Sequence, residues 1–280
     1  MTGWNHAGHD IMGLETAVLG GASVGIFGAG HLGRAIADAL LQAGLPRTQL
    51  LLCHSGSEAT GVALAQSGLA DLVVPAQALL DQAKMVLYLV RPQVADAIGG
   101  LALRRDALLV SFLAGTALAR IPAAAARRVR VMVSDPDTLA KRNGIAALYP
   151  ANVEVQTLLE ALGLRVVLLP SEASFHAFTA MGPCLPIAAA WCLGMGKPID
   201  RDALLALGRR YGFADYPQIV DWALAVCPKG LSHAELAIYA AHAATPGGVT
   251  EAVLNGLRDG GDLPTALERG IRRCEELARV

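Results

Sequence analysis

The segment Gly28-Ala29-Gly30-His31-Leu32-Gly33 follows the apolar run Val24–Phe27 directly and opens a stretch of helical spacing, Leu32–Ala43, that stops at Gly44. Few short segments constrain a fold more. A strand that turns sharply into a helix needs a residue free to take unusual backbone angles, the role open to Gly28. A helix packed hard against that strand needs a position without a side chain, the role open to Gly33. Gly30 leaves the start of the helix open to an approaching ligand, and the first N–H groups of a helix favour a phosphate there. Glycines at this spacing are a weak signal by themselves. In a strand–turn–helix context they point to a dinucleotide-binding unit.

The chain around this unit continues the alternation. Gln49–Cys53, Met85–Val90, Ala107–Phe112, Val129–Val133, Ile145–Leu148 and Arg165–Leu169 read as strands, with helices at Glu58–Gln66 and Val153–Leu162. Strands alternating with helices predict βαβ units and a mostly parallel sheet. After Pro170 strand signals cease, and Phe175–Leu193, Arg201–Tyr211, Tyr216–Val226, His233–Ala243, Thr250–Arg258 and Pro264–Ala278 read as helices. The expected architecture is α/β: an N-terminal extension at 1–22, a Rossmann-type domain at 23–170 and an all-helical domain at 171–280.

Composition narrows the function classes. Lys plus Arg is 23 against 24 Asp plus Glu, a net charge of -1, which lacks the basic surplus of a nucleic-acid binder. Hydrophobic residues make up 54% of the chain, enough for a large core and against disorder. Five scattered cysteines with no C-x-x-C pair suggest neither a disulfide framework nor a zinc site, and no metal is expected. His6 and His9 have too few partners for one. The first twenty residues lack a basic start followed by an apolar run, so a cytoplasmic protein is expected. Ala177–Gly196 is uncharged and long enough to span a bilayer, but Pro183, Pro186 and its glycines favour a buried interface helix over a membrane segment.

The end of the second strand bears on the cofactor. An NAD site usually places an acid there for the ribose 2′-hydroxyl, whereas this chain reads Cys53-His54-Ser55-Gly56-Ser57 with no acid before Glu58. Ser55 and Ser57 can donate to a 2′-phosphate that a carboxylate would repel, so NADPH is expected ahead of NADH.

Several further segments carry a resemblance. Gly28-Ala29-Gly30, Val90-Arg91-Pro92, Ser111-Phe112-Leu113-Ala114-Gly115, Arg130-Val131-Met132 and above all Thr245-Pro246-Gly247-Gly248-Val249-Thr250 occur in the order seen in pyrroline-5-carboxylate reductases. The chain resembles that family from Val24 almost to its C-terminus. The resemblance implies a homodimer or larger assembly built on the helical domain, with the active site between one subunit's nucleotide domain and the dimer's helices. It implies that Gly28, Gly30, His31, Leu32 and Gly33 with Ser55, Ser57, Val90, Arg91, Pro92, Ala114 and Gly115 hold the cofactor. It implies that Thr250 hydrogen-bonds the ring nitrogen of the substrate, while the turn N–H groups of Gly247, Gly248 and Val249 hold a carboxylate.

The chain departs from the family pattern at three places. A serine-rich loop is replaced by Thr179-Ala180-Met181-Gly182-Pro183-Cys184. Ser134-Asp135-Pro136 stands in place of Asn-Thr-Pro, so Asp135 either faces the cofactor, where it would suit an iminium, or caps a turn before Pro136. Glu251 replaces an apolar residue and reads as a solvated or helix-N-terminal acid. The expected activity is an NADPH-dependent reduction of C=N in a small, amino-acid-like cyclic imine acid. The alternatives are a reductase of another imine or carbonyl in secondary metabolism, and a nucleotide-binding relative without turnover.

Overall fold

The computed structural model describes residues 23–124 and 127–279; the extension at 1–22, with His6 and His9, lies outside the described residues. The first half runs β1 (Ser23–Phe27), α1 (His31–Gln42), β2 (Leu50–Cys53), α2 (Glu58–Gln66), α3 (Ala76–Gln82), β3 (Ala83–Tyr88), β4 (Leu108–Ser111), β5 (Arg127–Val133), α4 (Pro136–Ala140), β6 (Ile145–Tyr149), α5 (Val153–Ala161) and β7 (Arg165–Leu168). The strands form one sheet in the order β2-β1-β3-β4-β5-β6-β7. Every neighbouring pair is parallel except β5–β6, in which Val131 faces Leu148 in an antiparallel register. The reason is length: a parallel crossover takes about a dozen residues or more, and the connection at 134–144 holds only the short α4.

Burial on both faces explains why the strands read as continuous apolar runs rather than alternating ones. One face packs Ile26, Leu52, Leu87 and Val110 under Ile36 and Leu40 of α1 and Leu158 of α5. The other packs Val86, Tyr88 and Leu109 against Leu79 and Leu80 of α3. Helix α3 carries little sequence signal because it is one short Ala-Gln-rich segment that joins β3 without a turn signal.

After Pro170 the chain is helical: α6 (Ser174–Met181), α7 (Leu185–Gly194), α8 (Arg201–Arg210), α9 (Tyr216–Val226), α10 (His233–Ala243), α11 (Val249–Arg258) and α12 (Leu263–Arg279). The single helix expected over Phe175–Leu193 is instead two. Pro183 has no N–H to return to the preceding turn, and the Cys184 N–H reaches back to Thr179 O before α7 starts. The helical run Ser174–Gly194 is long and apolar enough to cross a membrane, yet 67% of its most apolar window is buried within the fold. Phe175, Phe178, Leu185, Trp222 and Ile271 close over Ile145, Ala147 and Val167, so the helices share one core with the β6–β7 end of the sheet. Helix α12 lies along α11 and α6.

Candidate functional site

Parallel strands deliver their following loops to one edge of the sheet, the edge where α/β proteins bind ligands. The loop after β1 is built as its glycines require. Gly28 has φ +112°, and a Cβ there would stand 2.8 Å from the Leu89 carbonyl carbon. Its N–H and that of Ala29 both donate to Cys53 O, at 3.1 and 2.9 Å, which ties the turn to the end of β2. A Cβ on Gly33 would lie 2.4 Å from Gly28 O, so α1 can approach the turn only without a side chain at that position. Gly30 differs: a Cβ there would meet nothing within 4 Å. It occupies the N-cap of α1 with no side-chain cap, His31 beside it is exposed, and Leu32 is half-buried against the core. The loop is therefore a cradle with an open floor at Gly30 under a helix start that the protein does not cap itself.

The three neighbouring loops are shaped around it. After β2, Ser55 and Ser57 are exposed, and the Ser57 hydroxyl makes no cap bond to α2. The Gly56 N–H donates to His54 Nδ1 at 3.1 Å across this loop, which holds no acid before Glu58. Burial pushes the Cys53 thiol up to about 11, so it sits here as an inert core group. After β3, Val90 is half-buried while Arg91 and Pro92 are exposed. This loop is anchored from below by Tyr88, fully buried, whose hydroxyl donates to Ala95 O at 3.0 Å. Burial pushes that phenol up to about 12, so the donor proton persists at any working pH. After β4, Ser111 Oγ accepts from Leu113 N–H, Thr116 donates to Ala114 O, and Gly115 turns with φ +66°.

A second group of residues gathers at the start of α11. Gly247 has φ +70° and Gly248 is the N-cap, so Val249, Thr250 and Glu251 form the first helical turn. Thr250 is half-buried, and its Oγ1 lies 3.4 Å from Sγ of Cys184, in the turn that breaks α6 from α7. Residues 66 apart in the chain are thus joined at the two segments where the sequence follows, and then departs from, the family pattern. Burial raises the Cys184 thiol to about 11 and keeps it protonated. It can donate to Thr250 Oγ1 and leave the threonine proton free, or accept that proton and leave an oxygen lone pair free.

Two of the three turn N–H groups expected to hold a carboxylate, those of Gly247 and Gly248, have internal acceptors here. Gly248 N–H donates to Thr245 O at 2.8 Å, and Gly247 N–H donates to Glu251 Oε2 at 2.8 Å. Arg273 donates from Nε to Gly247 O at 2.7 Å and fixes the turn from the other side. The role of Glu251 was legible: an acid at the third helical position commonly reaches back over the helix start.

Asp135 takes the second of its two readings. Its Oδ1 accepts from Thr138 N–H at 3.0 Å as the N-cap of α4, with Pro136 at the first helical position. Buried Ser134 accepts from Ile145 N–H and so ties α4 to β6. Nearby, Arg130 is buried, with Nη1 3.4 Å from Glu172 Oε1 and its guanidinium 4.5 Å from the Phe175 ring centroid. Among the described residues no three His, Cys, Asp or Glu side chains stand close enough to hold a metal ion.

Residues 23–115 match the family described as NADP oxidoreductase, coenzyme F420-dependent. No curated protein sequence matches the chain. Among solved structures, 1-pyrroline-5-carboxylate reductase from Streptococcus pyogenes matches with a TM-score of 0.57 at 20% identity, covering 92% of this chain and 98% of that one. The pyrroline-5-carboxylate reductase of Coxiella burnetii matches with a TM-score of 0.57 at 18% identity, over 91% and 98%. That of Plasmodium falciparum, solved with NADP bound, gives 0.54 at 15% identity, over 93% and 98%. The resemblance read from the motifs therefore extends to the fold of nearly the whole chain.

Proposed function

We propose that the protein is an NADPH-dependent reductase of a carbon–nitrogen double bond in a small cyclic imine. The observation that carries this reading is the junction of Thr250 with the Gly182–Cys184 turn. It holds the Thr250 hydroxyl in the first turn of the helix that follows Gly247 and Gly248, on the same fold as the pyrroline-5-carboxylate reductases. The dinucleotide fits the sheet edge: Gly28, Gly30 and Gly33 form its cradle, the helix start from Gly30 to Leu32 takes the phosphates, and Ser55 and Ser57 favour a 2′-phosphate. Val90, Arg91, Pro92, Ala114 and Gly115 line the rest of that edge. When bound, the cofactor supplies a hydride.

The chain's own contribution is position. The protonated imine is already electrophilic, so no strong general base is required. Thr250 orients the ring nitrogen, which keeps its proton as the imine carbon gains the hydride, and the product is the amine with oxidised cofactor. The glycine cradle lies beside Ala29 and Leu32 of the sheet core, and Thr250 between Val249 and Val253 of the helical core, an arrangement that suits an assembly in which a second copy completes the site.

Thr250→Val keeps the side-chain shape and removes the hydroxyl. It lowers kcat/KM by about tenfold to a hundredfold, the worth of one positioned hydrogen bond of about 1–3 kcal/mol, and leaves NADPH affinity unchanged. Full activity in this variant would remove Thr250 from the site.

A further inference from the structure

Cys53 O accepts from both cradle N–H groups, those of Gly28 and Ala29, so the next residue along the chain stands at the rim of the cradle. That residue is half-buried His54, in the stretch where an NAD site carries its acid. An acid there accepts from the ribose 2′-hydroxyl. His54 offers the opposite. Its Nδ1 accepts from the Gly56 N–H at 3.1 Å, and a backbone N–H only donates, so Nδ1 holds no proton and the neutral ring carries its proton on Nε2. Among the described residues that Nε2–H meets no acceptor. The same bond holds the ring in place, which lowers the side-chain freedom lost when a ligand is met. The loop around it is open: a Cβ on Gly56 would meet nothing within 4 Å, Ser55 and Ser57 are exposed, and the Ser57 hydroxyl caps nothing. A fixed N–H donor gains more from an ionised phosphate than from a hydroxyl, because hydrogen bonds to a charged acceptor are roughly twice as strong.

We propose that His54 is a specificity-determining residue of the cofactor site, whose Nε2–H donates to the 2′-phosphate of NADPH and, with Ser55 and Ser57, selects NADPH over NADH. The inference rests on the reading of the loop after β2 as the 2′-phosphate site. The ring then has two separable duties: Nδ1 orders the loop, and Nε2 chooses the ligand.

The test is calorimetric titration with NADPH and NADH, and with adenosine 2′,5′-bisphosphate and adenosine 5′-monophosphate, which differ in the same phosphate without the nicotinamide. His54→Asn keeps an oxygen that accepts from the N–H two residues on, and ends short of the Nε2 position. This variant binds NADPH about tenfold more weakly than wild type and NADH equally well, and the two adenosine nucleotides show the same shift. His54→Gln makes the converse change: its amide N–H reaches where Nε2 stood and the acceptor for Gly56 is lost, so the ratio of NADPH to NADH affinity stays within about threefold of wild type. Unchanged selectivity in His54→Asn overturns the proposal, as does an equal loss for NADPH and NADH, the mark of loop order alone. If wild-type protein binds NADPH no tighter than NADH, the reading of this loop as a 2′-phosphate site fails, and the role of His54 with it.

Discussion

Gly30 and Gly33 lie three residues apart in one motif, yet the structure gives them different tasks. A methyl group on Gly33 would press into Gly28 O, so Gly33→Ala costs about 1–3 kcal/mol of stability and lowers the melting temperature. A methyl group on Gly30 meets nothing in the protein, so Gly30→Ala melts like wild type but loses tenfold or more in NADPH affinity, read by titration. The reverse pattern would mean that the open floor at Gly30 is not where the pyrophosphate lies. Asp135 separates capping from chemistry in the same way. Asp135→Ala loses a helix cap worth about 1 kcal/mol, while Asp135→Asn keeps an oxygen for Thr138 N–H and melts as wild type with unchanged turnover. A large rate loss in the asparagine variant would return Asp135 to the active site.

At the scale of elements, the loop after β2 decides cofactor choice. Ser55 stands exposed where an NAD enzyme carries an acid, so Ser55→Asp moves the ratio of NADPH to NADH affinity toward NADH, by a new ribose acceptor and by repulsion of the 2′-phosphate. An unchanged ratio would place the 2′-phosphate elsewhere. The strands and their order of appearance were legible because both sheet faces are covered, which leaves unbroken apolar runs such as Leu50–Cys53 and Leu108–Ser111. The glycine cradle was legible because its geometry is a matter of local sterics. The break between α6 and α7 was misread although Pro183 announced it, since the apolar composition is the same on either side. The partners of Cys184 and Arg273 were not legible as pairs. Cys184–Thr250 and Arg273–Gly247 depend on how α7, α11 and α12 pack, and sequence spacing carries no trace of that.

At the scale of the whole molecule, the apolar stretch Ala177–Gly196 proves to be satisfied mostly inside its own chain, so its composition alone does not call for a partner. What remains outside are Leu193, Met195, Ile238 and Leu277, large apolar side chains that are each more than two-fifths exposed on the helical half. They predict a dimer or larger multiple, and light scattering that finds a stable monomer at micromolar concentration would refute it. Acid sensitivity follows from His176, whose pKa is lowered first by burial and then by the Arg130 charge. The unfolded chain takes up this proton near pH 6.5, while the folded protein resists it until lower pH. Stability therefore declines as pH falls below about 6.5, and His176→Gln flattens that decline in melting temperature between pH 7 and pH 5. Reduction of C=N is tested most directly by NADPH consumption by the purified protein across a panel of small cyclic imines and the ketones of matching ring size. Rapid consumption is expected with at least one imine, and none above background with the ketones. Consumption with the ketones alone, or with nothing in the panel, would contradict it.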